Sequence, residues 1–89
     1  MFLHLGNTTV IHQDDIIGIF DLDNTTVSKI TRDYLTKAEK EGKVVNVSTE
    51  LPKSFIVCEN EEKEITVYIC QISTSTLIKR VENDLIDIK

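Results

Sequence analysis

The sequence predicts an α+β domain: a mainly antiparallel sheet of about six strands with two helices, in the order β-β-β-α-β-β-β-α. Three observations predict it. Short β-branched runs are paired across turn residues near both ends of the chain, as in antiparallel hairpins. Two other stretches, 27–38 and 77–85, instead repeat apolar residues at spacings of three and four, as a helix does. One Pro and three Gly in 89 residues leave little room for a flexible linker, so residues 1–89 read as a single domain.

Taken in order, Phe2 to Leu5 and Thr8 to Ile11 are apolar runs on either side of Gly6-Asn7, two residues suited to positive φ, which predicts a hairpin. Gln13-Asp14-Asp15 is a polar turn. Ile16 to Phe20 is apolar at almost every position, so a strand covered on both faces is expected. Gly18 within it predicts a bulge or a close approach. Asn24, Thr25 and Thr26 suit a helix N-cap, and Val27, Ile30, Thr31, Tyr34, Leu35 and Ala38 form one stripe beyond them. Gly42 ends that helix.

Val44 to Ser48 alternates as a strand, and Pro52 marks the turn after it. Ser54 to Cys58 and Ile65 to Cys70 are two further strands across a polar, mostly acidic tip, 59–64. The Ser and Thr residues at 73–76 offer caps for a closing helix, whose stripe is Leu77, Ile78, Val81 and Leu85.

Composition narrows the function. A chain of this length buries only roughly 60–65% of its unfolded surface, so contact with further copies would add stability. No run of about 18 apolar residues is present to span a membrane, and the start, Met1-Phe2-Leu3-His4, lacks a leader pattern, so a cytoplasmic protein is expected. Cys58 and Cys70 lie in strand-like runs without Cys-x-x-Cys spacing, which suits reduced core thiols. His4 and His12 have no third ligand near them in sequence, so neither a metal nor a cofactor is expected. The net charge of −5 opposes broad affinity for nucleic acid, which needs clustered Lys and Arg.

Asp21, Asp23 and Thr25 follow an apolar strand as Asp-x-Asp-x-Thr, the local pattern of haloacid-dehalogenase-like phosphatases. That chemistry also needs a Mg²⁺ ion, further carboxylates at the end of a later strand and a positioned cation. The later strands end in Ser48, Glu59 and Gln71, and the Asp14-Asp15 pair precedes the motif. The simpler reading is that Asp21 and Asp23 sit at a strand end and favour the helix N-terminus after it. A calcium loop fits less well, since the glycine is missing and Arg32 stands at the bidentate glutamate position. No catalytic residues are expected.

The opening FLHLG, DIIGIFD, the helix start near Val27 to Ile30, LPKSFIV at 51–57 and ISTSTLIKR at 72–80 together resemble the RemA/RemB family of extracellular matrix regulators, nearest its RemB branch. The resemblance runs along nearly the whole chain. It implies a non-enzymatic cytoplasmic protein in transcriptional control of extracellular-matrix and biofilm genes. It implies a ring-like homo-oligomer, as in the RemA branch, that contacts double-stranded DNA through repeated basic loops. In that branch the loop before the fifth strand is rich in arginine; here it reads Glu50-Leu51-Pro52-Lys53-Ser54. Lys53 is the expected phosphate contact, with Lys79 and Arg80 in support. An oligomeric protein-interaction module without DNA affinity is the alternative, and a phosphatase at Asp21 and Asp23 a remote one.

Overall fold

The computed structural model describes residues 1–6, 8–22 and 28–87, with side chains described as far as residue 83. β1 (Phe2–Gly6) and β2 (Thr9–His12) pair antiparallel, with Leu3 opposite Ile11, and form a sheet of their own. Asn7 of the expected turn lies outside the described residues. A single 3₁₀ turn, Gln13–Asp15, leads into β3 (Ile16–Asp21). Then come α1 (Lys29–Lys40), β4 (Val44–Asn46), β5 (Ser54–Glu59), β6 (Ile65–Cys70) and α2 (Thr74–Asp87).

The last four strands form a second sheet in the order β3-β5-β6-β4. β5 pairs antiparallel with both β3 and β6, whereas β4 runs parallel to β6. Among the described residues the chain is therefore α+β with six strands and two helices, and its pairings are mainly antiparallel as expected, but the expectation of a single sheet is corrected. There are two sheets, and the larger is mixed. α1 causes the mixing: it carries the chain back along the sheet, so β4 starts from the same end as β3 and β6 and can join β6 only in parallel.

α1 starts and stops by local chemistry. The Ser28 hydroxyl accepts a hydrogen bond from the Thr31 N–H at 3.2 Å and so caps the first turn, later than the expected caps at 24–26, which lie outside the described residues. At the other end Gly42 takes φ +73°, its N–H donates to the Glu39 carbonyl, and the Lys43 N–H reaches back to the Ala38 carbonyl. That left-handed C-terminal motif needs a residue without a Cβ penalty. At the start of α2, Ser73 Oγ accepts from the Thr76 N–H at 3.3 Å.

Alternation along β5 and β6 divides the core between the two faces of the larger sheet. Ile56, Cys58 and Cys70 point to one face, where Leu3, Leu5 and Ile11 of the hairpin and Leu77 of α2 cover them. Phe55, Val57 and Val67 point to the other, under Ala38 and the partly buried Leu35 of α1. Each fully buried Leu or Ile contributes about 2 kcal/mol. Ser54, the buried polar side chain of β5, donates to the Ile72 carbonyl at 2.7 Å and lies 3.0 Å from Cys70 Sγ, so its hydroxyl is satisfied. Among the described residues no helix is long and apolar enough to cross a membrane.

Candidate interaction surface

β3 is the first strand of the larger sheet and pairs only with β5 among the described residues. Its register slips between Ile16 and Gly18: Ile16 faces Cys58 and Gly18 faces Val57, leaving Ile17 as the extra residue of a bulge. Ile17 is thereby turned out to solvent and is 59% exposed. Two residues after the glycine, the Phe20 ring lies back over the strand. A Cβ on Gly18 would stand 2.6 Å from that ring, so glycine here provides room for the aromatic. The same ring stacks on Phe55, with centroids 4.8 Å apart. Strand Ile16–Phe20 is thus not covered on both faces as the sequence predicted; it is an edge strand with Ile17 and Phe20 exposed.

α1 completes the surface. Ala38 is buried and Leu35 half-buried on the expected stripe, but Tyr34 remains exposed and Ile30, in the first turn, is 82% exposed. The stripe is wider than the strip of sheet beneath it. Ile17, Phe20, Ile30, Tyr34, Phe55 and Val57 consequently line an open, largely apolar groove between β3 and α1. Elsewhere on α1 an exposed ion pair joins Lys29 Nζ to Asp33 Oδ2 at 3.2 Å. The sequence reading missed this groove. The available signal was its own surplus: a fully apolar strand and a six-residue stripe exceed what one sheet face can cover.

The loop before β5 holds a second exposed apolar residue. Ser48 Oγ donates to Gln71 Oε1 and accepts from the Glu50 N–H, both at 3.1 Å. The Lys53 N–H donates to the Cys70 carbonyl, and its own carbonyl accepts from Leu22. Both flanks of the loop are fastened, and Leu51 between them is 82% exposed. The Lys53 side chain is exposed on the same loop.

The other two expected phosphate contacts lie on α2. Lys79 is exposed. Arg80 donates from Nη1 to the His4 carbonyl at 3.0 Å and so ties α2 to β1. His12 packs its ring against Phe2, with centroids 4.4 Å apart. Asp21, the first acid of the Asp-x-Asp-x-Thr pattern, ends β3 opposite Ser54 and is exposed; Asp23 and Thr25 lie outside the described residues.

The turn end of the sheet has a different chemistry. Asn60 Oδ1 accepts from the Glu62 and Glu64 N–H groups, closing a tip that places Lys63 at φ +66°. Asp14, Asp15, Glu61, Glu62 and Glu64 line an open cleft there. Burial, and then the charge of Asp15, push the Cys58 thiol up to about 11, so it is protonated and unreactive near neutrality. Burial likewise raises Tyr68 beside it.

The α+β fold, with its sheet covered on both faces and a groove left open at β3, has relatives among known proteins. Residues 2–81 match the RemA-like family, described as extracellular matrix regulatory protein A-like, and the chain belongs to that family. Among its relatives is Extracellular matrix regulatory protein B of Bacillus subtilis (strain 168), 35% identical over 82 residues, a match that covers 92% of this chain and 91% of the relative. This kinship supports a regulatory role.

Proposed function

We propose that the protein is a non-enzymatic regulatory scaffold of the cytoplasm. Its residues 1–89 act as one domain, and copies of it assemble into a ring that takes part in transcriptional control of extracellular-matrix genes. The observation that carries this reading is the match to a matrix regulator along almost the full length of both chains. The groove between β3 and α1 supports self-association, since a small subunit with apolar side chains left in water gains burial by joining copies. In this reading Asp21 has no catalytic part and serves the strand end.

DNA contact, where it occurs, runs through Lys53, repeated once per subunit around the ring, with Lys79 and the remaining donors of Arg80 in support. Repetition matters because a subunit of charge −5 has little attraction for phosphate by itself. The specific observation favouring the alternative, a protein-interaction ring without DNA affinity, is that Leu51-Pro52 place an exposed apolar side chain on the loop where phosphate contact is proposed.

A gel shift across a salt series tests the two. Binding that weakens by orders of magnitude with added salt and is lost in Lys53→Ala supports DNA contact. Salt-insensitive or absent binding by an assembled protein favours the interaction ring. Mg²⁺-dependent phosphate release abolished by Asp21→Asn would overturn the non-enzymatic reading.

A further inference from the structure

We infer that the turn end of the larger sheet is a face from which nucleic acid is held off, so that double-stranded DNA meets the protein only at the opposite end, beside Lys53. This rests on the DNA contact put forward above and adds the direction and the salt range in which it operates. The acid of the chain is not spread evenly. Asp14, Asp15, Glu59, Glu61, Glu62 and Glu64 stand together at the turn end, and Lys63 is the cation among them. That local surplus equals the net charge of −5 of the whole chain, so the remaining residues balance. The end of α1 nearby brings Lys37, Lys40 and Lys43 against Glu39 and Glu41, which offsets a single charge.

β5 separates the two ends. Lys53 precedes its first residue and the acidic tip follows its last, so six residues at about 3.3 Å each hold them roughly 20 Å apart. The register carries that separation across the sheet. Ser54 faces Asp21 and Cys70, whereas Glu59 faces Ile65 and Cys58 faces Ile16, the residue after Asp15. The Lys53 N–H is bound to the Cys70 carbonyl and its own carbonyl to Leu22, which keeps the loop at its end of the sheet.

Screening decides what the separation does. The Debye length is about 8 Å at physiological salt and about 30 Å at 0.01 M. In the first condition the tip lies more than two screening lengths from Lys53, and its repulsion is largely lost there. In the second it lies within one, and the repulsion reaches a bound duplex. Around Lys53 itself, Asp21 and Glu50 are acidic while α2 presents its N-terminus, so that end is close to neutral. A duplex is therefore not drawn to Lys53 over a distance. It is held there by short contacts, at salt concentrations that silence the tip. The same −5 spread evenly would stand against phosphate at Lys53 under every condition.

Fluorescence anisotropy of a labelled DNA duplex with the full chain, between about 0.01 M and 0.15 M salt, tests the inference. Counterion release alone raises affinity steadily as salt falls, and tip repulsion should cut that gain in the parent. Asp14→Asn, Glu61→Gln and Glu62→Gln, made together, neutralise three exposed carboxylates of the tip. This variant should gain about fivefold more than the parent across the range, and should match the parent within about 1.5-fold near 0.15 M. Glu50→Gln, three residues from Lys53, should instead raise affinity by a similar factor at both limits. Circular dichroism checks folding, and Glu61→Gln with Glu62→Gln alone should show the same trend at a smaller size. Absence of binding by parent and variants alike would overturn the DNA reading and this inference with it. A parent that binds and gains as much as the tip variant at low salt, or a tip variant that binds more tightly by the same factor throughout, would overturn the inference and leave the DNA contact standing.

Discussion

On one face of the larger sheet, Leu3, Leu5, Ile56 and Leu77 are all but removed from water; on the other, Ile30 and Tyr34 of the covering helix stay exposed. The two faces use similar residues. They differ in what covers them. The first has a hairpin and α2 side by side, and these fill the width of the sheet. The second has one helix lying over β5 and β6, so the edge at β3 is left open. An apolar stripe therefore reports what a helix could bury, and the width of the layer opposite decides how much of it is buried. A residue such as Ile30 follows helical periodicity and still belongs to the outside.

The largest effect that would test this contrast is at the closed face. Leu77→Ala should cost about 3–4 kcal/mol in urea unfolding, since it removes a fully buried side chain from a filled layer; a loss below about 1 kcal/mol would show that the layer is loosely packed. Ser54→Ala should cost about 2 kcal/mol by leaving the Ile72 carbonyl without its buried donor.

Alkaline unfolding tests the same face at Cys58, whose thiol is held at about 11 against an ordinary 9.0. A proton bound more tightly in the folded state stabilises it fully below the unfolded value. That contribution should fade by up to about 1 kcal/mol per pH unit as pH rises from 9 towards 11, and the fading should be smaller in Cys58→Ala, where the raised Tyr68 alone remains of this pair.

Smaller effects belong to the open face. Gly18→Ala should cost about 1 kcal/mol, because the new methyl group displaces the Phe20 ring from its stack on Phe55; ring-current shifts in NMR spectra would report the loss. Ile30→Ala should change unfolding stability by less than about 0.5 kcal/mol at high dilution. A larger change would mean that Ile30 packs within its own subunit.

Much of the architecture was legible in the sequence because local chemistry set it. The hairpin at 59–64, the end of α1 at Gly42 and the bulge at Gly18 each follow from residues that tolerate only a few backbone conformations. The pairing of β4 was not legible. Val44 to Asn46 alternates in the same way whether its neighbour runs parallel or antiparallel, and only the path of α1 over the sheet settles the direction. The groove was hidden for a related reason: Ile17 and Phe20 read as core residues until the strand order makes β3 an edge.

The same limit applies to charge. Sequence picks out Lys53, Lys79 and Arg80 as free cations, yet the guanidinium of Arg80 is partly committed to a backbone carbonyl 76 positions away. The family signatures were legible because LPKSFIV spans the fastened loop and β5, and ISTSTLIKR spans the entry to α2, both places where several packing demands meet in a few residues.

The link from Arg80 to His4 joins the first strand of the chain to its last helix. Leu3 and Leu5 share their core with Ile56 and Cys58 of β5, Cys70 of β6 and Leu77 of α2, so that layer closes only when elements far apart in the chain are all present. Translation that halts before Thr74 leaves this layer without Leu77 and so only partly covered, a mark by which chaperones and proteases can tell the unfinished molecule from the finished one.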